Sequence, residues 1–414
     1  MKVHFGWMNP NFTPYRNGTF GPLSPHIHRY LDEIREQGFA SLSRYEQVHV
    51  LAMFGCWLER KGHCVGAINE AVIIDFQNHH LKSGYGSNAG AATLRRLLVM
   101  LRKIGVIMAA EEAHASPSEQ LAKAYNRYLL EKRNLSCHSV ASLLRFVLRF
   151  LSEKFNGRQP DLSAINACDV TEFVRRHARR HGPHNARDLV KAMRSFLRYL
   201  YSEGLVEADL SLAVPKVARW SFSTLPKHLA AAQVRQVLLA CDRSTPLGRR
   251  NYAILLLLAR LGLRAGEVMG LNLEDIDWDN ARITVRGKGG RWSQLPLPAD
   301  TARALASHLR HGRPHCACRR VFLRDRAPIG GFQNSTSISK IVQCALKNAG
   351  VESVRKGAHL LRHSLATEML RKGASLEEIG ELLRHRSPDT TAIYAKVDIG
   401  SLRELALAWP GGAR

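Results

Sequence analysis

Long apolar runs are missing from this chain of 414 residues, whose longest uninterrupted stretch, Tyr252 to Ala259, is far below the ~20 residues that span a bilayer. Its start also lacks the basic, apolar and small-residue order of a secretion signal. These two absences predict a cytoplasmic protein with no membrane partner. Cysteine is sparse. The eight cysteines contain no Cys-x-x-Cys pair, which excludes a disulfide scaffold and predicts reduced thiols. His315-Cys316-Ala-Cys318 has no second cluster to complete four ligands, so no metal is expected there. Neither Gly-x-x-x-x-Gly-Lys-Ser/Thr nor His-Glu-x-x-His occurs, and no nucleotide or metal cofactor is expected. Acid is the other shortage: 35 Asp and Glu face 60 Lys and Arg.

The resulting net charge of +25, with a pI near 10.2, recurs along the chain instead of sitting in a tail. A polyanion is the partner this implies, because each phosphate contact releases condensed counterions. At this length the chain predicts two or three domains.

The first two hundred residues contain a degenerate repeat. Ala67-Ile-Asn-Glu-Ala-Val-Ile-Ile-Asp-Phe76 reads like Ala164-Ile-Asn-Ala-Cys-Asp-Val-Thr-Glu-Phe173, and Leu94 to Gly105 matches Met193 to Gly204. Each copy opens with an amphipathic helix, Tyr45 to Lys61 and Ser139 to Phe155. Two helical modules are therefore expected, residues 1–110 and 117–207, with the first a duplicate of the second. Such a module can place a helix in the major groove while others grip phosphates. In the second copy the candidates for DNA binding are Arg175, Arg176, Arg187, Lys191, Arg194 and Arg198, with Arg179 and Arg180 beside them. Any one of these could equally be a solvated helix face.

Residues 208–228 lose helical periodicity around Pro215 and Pro226 and read as a linker. Beyond it, Ala231 to Cys241 and Arg249 to Leu263 pattern as helix, Ile276 to Leu297 as strand and hairpin, and helices return from Thr336. The expected fold is mainly α and multidomain: helical DNA-binding modules, then a mixed α/β catalytic domain over 229–400 with a small antiparallel sheet. Residues 401–414 form a tail whose Ser401 to Trp409 pattern is a short helix that could dock on a neighbouring protomer or on its own domain.

Four short patterns carry chemistry. Gly262 ends one helix and Arg264-Ala-Gly-Glu267 opens the next, so Glu267 can orient the Arg264 guanidinium while its free donors fork onto a phosphate. Lys288 sits at the tip of the turn between Arg282-Ile-Thr-Val-Arg286 and Arg291-Trp-Ser-Gln-Leu-Pro-Leu297. His359-Leu-Leu-Arg362 puts His359 and Arg362 on one helix face. His363 lies four residues after His359, but with Arg362 alongside the pair does not suit zinc. His385 precedes Ser387-Pro388-Asp389, an N-cap, N1 proline and acidic first turn, and Tyr394 is expected two turns into the helix they start. Alone, each has an ordinary explanation; together and in this order they do not.

The ordered set resembles the tyrosine recombinases, the phage-integrase family of site-specific DNA recombinases, over about Leu225 to Val397, with the second helical module similar to their core-binding domain. The resemblance implies that Arg264 and Arg362 are the catalytic arginines, Glu267 an acidic companion, Lys288 the hairpin lysine, His359 and His385 the two histidines, and Tyr394 the nucleophile. Arg384 departs from the pattern, standing where glycine usually precedes the second histidine, and the first module is an addition to compact members. The implied activity is an integrase or recombinase of a mobile element such as a transposon, working as a homo- or hetero-tetramer on two DNA sites without a cofactor. Tyr394 would form a 3′-phosphotyrosine, with the arginines stabilising phosphate charge, Lys288 protonating the leaving oxygen, His359 acting as base and His385 bonding the phosphate. A topoisomerase-like relaxer of one duplex and a non-cleaving DNA-binding accessory protein are the alternatives.

Overall fold

The computed structural model describes residues 20–82, 88–108, 116–156, 159–180, 182–216, 227–287, 289–354 and 356–397. The chain separates into two compact units, Met108–Ser221 and the remainder.

Four helices form the N-terminal bundle: α1 (Ile27–Glu36), α2 (Ser41–Lys61), α3 (Glu70–Lys82) and α4 (Asn88–Lys103). Four more form the second: α5 (Pro117–Glu131), α6 (Cys137–Phe155), α7 (Ala167–Arg180) and α8 (Pro183–Ser202). Local chemistry starts and stops them. Ser116 and Glu119 close a reciprocal capping box over Pro117 at the head of α5. Gly105 and Gly204, at φ +74° and +68°, turn the chain out of α4 and α8 through the left-handed region where a side chain would be strained.

The two bundles carry similar elements at the positions of the sequence repeat. A 3₁₀ turn precedes the third helix in both bundles, Val65–Ala67 in one and Leu162–Ala164 in the other. Ile68 and Ile165, Ile73 and Val170, Phe76 and Phe173, Leu97 and Phe196, Leu101 and Leu200 are all buried. The same apolar register thus fills both interiors, as helices of equal pitch and spacing require.

The expected linker is shorter than its sequence suggests. After α8 a 3₁₀ turn, Leu210–Ala213, tucks in, and Val214 joins the second bundle's core. Arg194 Nη2 donates to the Val214 carbonyl at 2.9 Å. The bundle therefore extends past the expected boundary at 207; residues 217–226 lie outside the described residues.

From 227 on, the chain forms α9 (Ala231–Leu239), α10 (Pro246–Arg260), α11 (Ala265–Gly270), β1 (Ile276–Asp277), β2 (Arg282–Arg286), β3 (Trp292–Pro296), α12 (Ala299–His311), α13 (Thr336–Asn348), α14 (Ala358–Arg371), α15 (Leu376–Leu382) and α16 (Pro388–Thr391). The strands make one antiparallel sheet in the order β1-β2-β3, with Ile276 opposite Ile283 and Arg286 opposite Trp292. Helix α10 is the axis. Ile254 to Leu258 are buried on all sides, which places α10 at the centre of the packing, covered by α12 and α14. Within this same unit the end of α1 meets the Pro328 loop: the Ile329 N–H donates to the Gln37 carbonyl at 2.8 Å, and a Cβ on Gly38 would collide with Ile329.

The helix expected to carry Tyr394 is a single turn. It ends at Thr391, which is buried, and Tyr394 follows in a turn before the 3₁₀ segment Ala395–Val397. Tertiary contacts stop it: Thr391 Oγ1 hydrogen-bonds His385 Nδ1 at 2.7 Å, and Thr391 packs on Gly380. The expected tail helix at 401–414 lies outside the described residues.

Candidate active site

Two helix starts and one turn bring the charged residues together. Arg264 caps α11 from the N-terminal side, Arg362 points inward from α14, and the turn after α15 runs Leu383-Arg384-His385 between them. Arg362 donates through Nη1 to the Gly262 carbonyl and through Nη2 to the Leu383 carbonyl. Arg264 Nη2 donates to the next carbonyl, that of Arg384, at 3.4 Å. Both guanidiniums are thus fixed by adjacent carbonyls at the end of α15, where the unpaired C=O groups of a helix favour cations. Gly262 permits the approach. Its φ is +56°, and a Cβ there would lie 2.6 Å from Leu383 Cδ2.

Glu267 is the common counter-ion. Its Oε1 accepts from Arg264 Nη1 at 2.8 Å, and its Oε2 from the Arg264 backbone N–H and Arg384 Nη2, each at 2.9 Å. Burial pushes the Glu267 carboxyl up, but the backbone hydrogen bond from Arg264 and the charges of Arg384 and Arg264 outweigh it and hold the carboxyl below its usual range. The carboxylate is therefore ionised at neutral pH. Burial, reinforced by Arg264 and Arg384, lowers Arg362 to about 10, which still leaves it cationic.

The expected nucleophile lies among apolar side chains. Tyr394 is 1% exposed, in a small cluster with Ala366, Ile379 and Leu383, and burial pushes its hydroxyl up to about 12. Its Oη is 2.8 Å from Nδ1 of His363, a contact that the family resemblance gives to His359. His359 is exposed, one turn earlier on α14, with its ring 6.5 Å from that of His363. The four-residue spacing, which is also that of a helical metal pair, instead sets one histidine behind another, with the inner one on the tyrosine. His385 lies parallel to the Tyr394 ring at 6.5 Å, and burial followed by Arg362 and Arg264 lowers it to about 4, so it is neutral.

Lys288 lies outside the described residues, but its hairpin does not. Gly287 N–H donates to the Arg291 carbonyl at 2.7 Å, and a Cβ on Gly287 would sit 3.7 Å from Glu267 Oε1. The base of the hairpin therefore borders the arginine cluster. Among the described residues no group of three His, Cys, Asp or Glu side chains could hold a metal ion, and no helix is long and apolar enough to cross a membrane.

The basic residues of the second bundle divide into two sets. Arg175 and Arg176 are exposed on α7 and, with Glu172, Arg179 and Arg180, line an open cleft of about 320 Å³. On α8, Lys191 is exposed beside Asp188 at 3.7 Å and Arg187 is half-buried. Arg194 and Arg198 are committed to the following turn, Arg194 to the Val214 carbonyl and Arg198 Nε to Ser211 Oγ at 3.4 Å.

Known proteins match the chain at both levels, sequence and fold. Residues 227–400 fit the model of the phage integrase family. The integrase/recombinase y4rA of Sinorhizobium fredii (strain NBRC 101917 / NGR234) is 44% identical over 397 residues, covering 95% of this chain and 96% of its own length. The tyrosine recombinase XerD of Mycobacterium tuberculosis (strain CDC 1551 / Oshkosh) is 33% identical over 310 residues, 70% of this chain and 96% of that protein. Among solved structures, the XerH site-specific recombinase in a post-cleavage complex with palindromic difH superposes with a TM-score of 0.54 at 21% identity, over 71% of this chain and 97% of that one; this likeness concerns the fold. With the arginines, the histidines and the tyrosine gathered on that fold, and with a relative of this identity along nearly its whole length, the chain belongs to the tyrosine recombinases of the phage-integrase family, enzymes that break and rejoin DNA strands.

Proposed function

We propose that this protein is a site-specific recombinase that moves a mobile DNA element, integrating, excising or transposing it through a 3′-phosphotyrosine intermediate. The observation that carries this reading is the convergence of Arg264, Arg362 and Tyr394 on one turn, Leu383 to His385. Two fixed guanidiniums with a phenol beside them suit one task, attack on a phosphodiester whose charge must be held without water.

In the proposed step Tyr394 Oη forms a bond to phosphorus, and the bond from phosphorus to the 5′ oxygen breaks. The phenol proton passes to Nδ1 of His363, which is already within hydrogen-bond reach. Lys288 supplies the proton that the departing 5′ oxygen takes up. Arg264 and Arg362 bear the charge on the non-bridging oxygens, doing electrostatically what a metal ion does elsewhere. If Thr391 donates to Nδ1 of His385, the Nε2–H of that neutral ring is left to bond a phosphate oxygen. His359 is exposed on the same helix, one turn before His363. The phosphotyrosine ester keeps the free energy of the broken bond, so a 5′-hydroxyl from either duplex rejoins it in reverse without a nucleotide.

Each protomer offers one nucleophile, and exchanging both strands of two duplexes needs four cleavages. A tetramer on two double-stranded DNA sites follows from that count. Tyr394 is buried in its apolar cluster, so that cluster must open to admit the phosphate.

Covalent trapping tests the reading. On nicked duplexes carrying the ends of the DNA element that encodes this chain, the protein is expected to form a denaturation-resistant adduct that Tyr394→Phe abolishes. No adduct on duplexes the protein demonstrably binds would overturn the reading in favour of an accessory DNA-binding role. Relaxation of plasmids that lack those ends would favour the topoisomerase-like alternative.

A further inference from the structure

Arg384 occupies a backbone conformation that suits glycine. Its φ of +53° is in the left-handed region, where a Cβ crowds the following carbonyl. Such strain persists only where the surroundings over-determine it, and it concentrates at functional sites. Here the side chain does the holding. It is 11% exposed, with Nη2 on Glu267 Oε2 at 2.9 Å and Nη1 on the Leu382 carbonyl at 3.1 Å. The Arg384 carbonyl meanwhile accepts from Arg264 Nη2. Arg384 therefore reaches Arg264 by two routes, directly through its backbone and indirectly through the carboxylate they share.

We propose that Arg384 is a positioning residue for strand cleavage, locking Glu267 so that Glu267 can lock the Arg264 guanidinium; this rests on the recombinase function proposed for the site. Glu267 holds Arg264 through two hydrogen bonds, but a carboxylate with one partner can rotate with it. The third bond, from Arg384 Nη2 to the Oε2 that also accepts the Arg264 backbone N–H, removes that freedom. The arrangement also sets three guanidiniums, Arg264, Arg362 and Arg384, around one carboxylate. Arg384 Nε is buried with no hydrogen-bond partner among the described residues, consistent with a group placed for orientation and charge instead of for complete pairing.

The test is single-turnover cleavage of the nicked element-end duplexes at saturating protein, with DNA affinity and melting temperature measured alongside. Arg384→Ala is expected to cleave roughly 10- to 100-fold more slowly, the scale of a small displacement of a reacting group, with affinity unchanged. Arg384→Lys, which keeps the charge but not the planar fork, should recover part of the rate. Arg384→Gly separates positioning from folding: it loses the same bonds as the alanine variant but relieves the backbone, so it should melt higher than Arg384→Ala and yet cleave as slowly. In a Glu267→Gln background, Arg384→Ala should cost much less than it does alone. A glycine variant at the wild-type rate, or an alanine penalty untouched by Glu267→Gln, would overturn the proposal. Absence of any wild-type adduct would instead overturn the recombinase reading and this inference with it, so the two failures are told apart by the wild-type lane.

Discussion

The two N-terminal bundles share an interior and differ on their surfaces. In the first, Phe76 meets Phe54 edge-on at 4.9 Å and 64°; in the second, Phe173 meets Phe150 at 5.1 Å and 70°. Outside, the likeness ends. Where α7 carries Arg175, Arg176 and Arg179, the matching positions of α3 hold Asn78, His79 and Lys82. Two arginines of the first bundle are engaged by its own side chains, Arg102 with the exposed Glu70 at 2.8 Å and Arg96 with Gln47 at 3.0 Å and over the Phe39 ring. Matching cores keep their packing because volume and register constrain it, whereas surface charge is free to change.

If the interiors are equivalent, the same truncation should harm both. Phe76→Ala and Phe173→Ala are each expected to cost about 3–5 kcal/mol, the transfer term plus a cavity that helices on all sides cannot close. Chemical denaturation followed separately in each bundle would measure this. A loss several times larger in one bundle would break the comparison and mean that the duplicated cores have diverged in packing as well as in surface.

The next effect falls on binding. Replacing Arg175, Arg176, Arg179 and Arg180 together by alanine should weaken DNA affinity and flatten its salt dependence by about 0.9 in the log–log slope for each phosphate no longer neutralised. Stability should hardly move, because these side chains are exposed and their ion pairs, such as Arg176 with Glu153 at 3.5 Å, are surface pairs. An unchanged slope would remove α7 from the DNA interface. Arg194→Ala should do the reverse, lowering stability by about 1–3 kcal/mol through the orphaned Val214 carbonyl while changing the slope little.

Much of this architecture is legible in the sequence wherever one local rule decides the outcome. The repeat can be read because helical periodicity leaves buried positions such as Ile68 and Ile165 in the same register, and Arg264 with Glu267 because a three-residue spacing on a helix start has few geometries. Where tertiary contacts override the local signal, sequence patterns mislead. Ser387-Pro388-Asp389 does start a helix, but Thr391 is drawn to His385 and Gly380 and the helix stops before Tyr394. His359 and His363 both follow from the α14 pattern; which of them meets the phenol depends on where the 383–394 segment crosses α14, and no local spacing encodes that crossing. Arg384 is visible as a departure from the usual glycine, yet only its bond to Glu267 gives that departure a purpose.

The smallest expected effect is the sharpest check on the two bundles. Helix α4 carries Arg95, Arg96, Arg102 and Lys103, a basic cluster that on sequence alone could grip phosphates as α7 is expected to. Arg96 is paired with the buried Gln47 and Arg102 with Glu70, whereas Arg95 and Lys103 are exposed and can be changed with little structural cost. Arg95→Ala with Lys103→Ala should leave both DNA affinity and its salt slope within error of wild type. A slope reduced by about 0.9 for each residue would show that the first bundle grips phosphates with a different helix from the second. Duplication would then have moved the DNA-binding face from α3 to α4 instead of abandoning it.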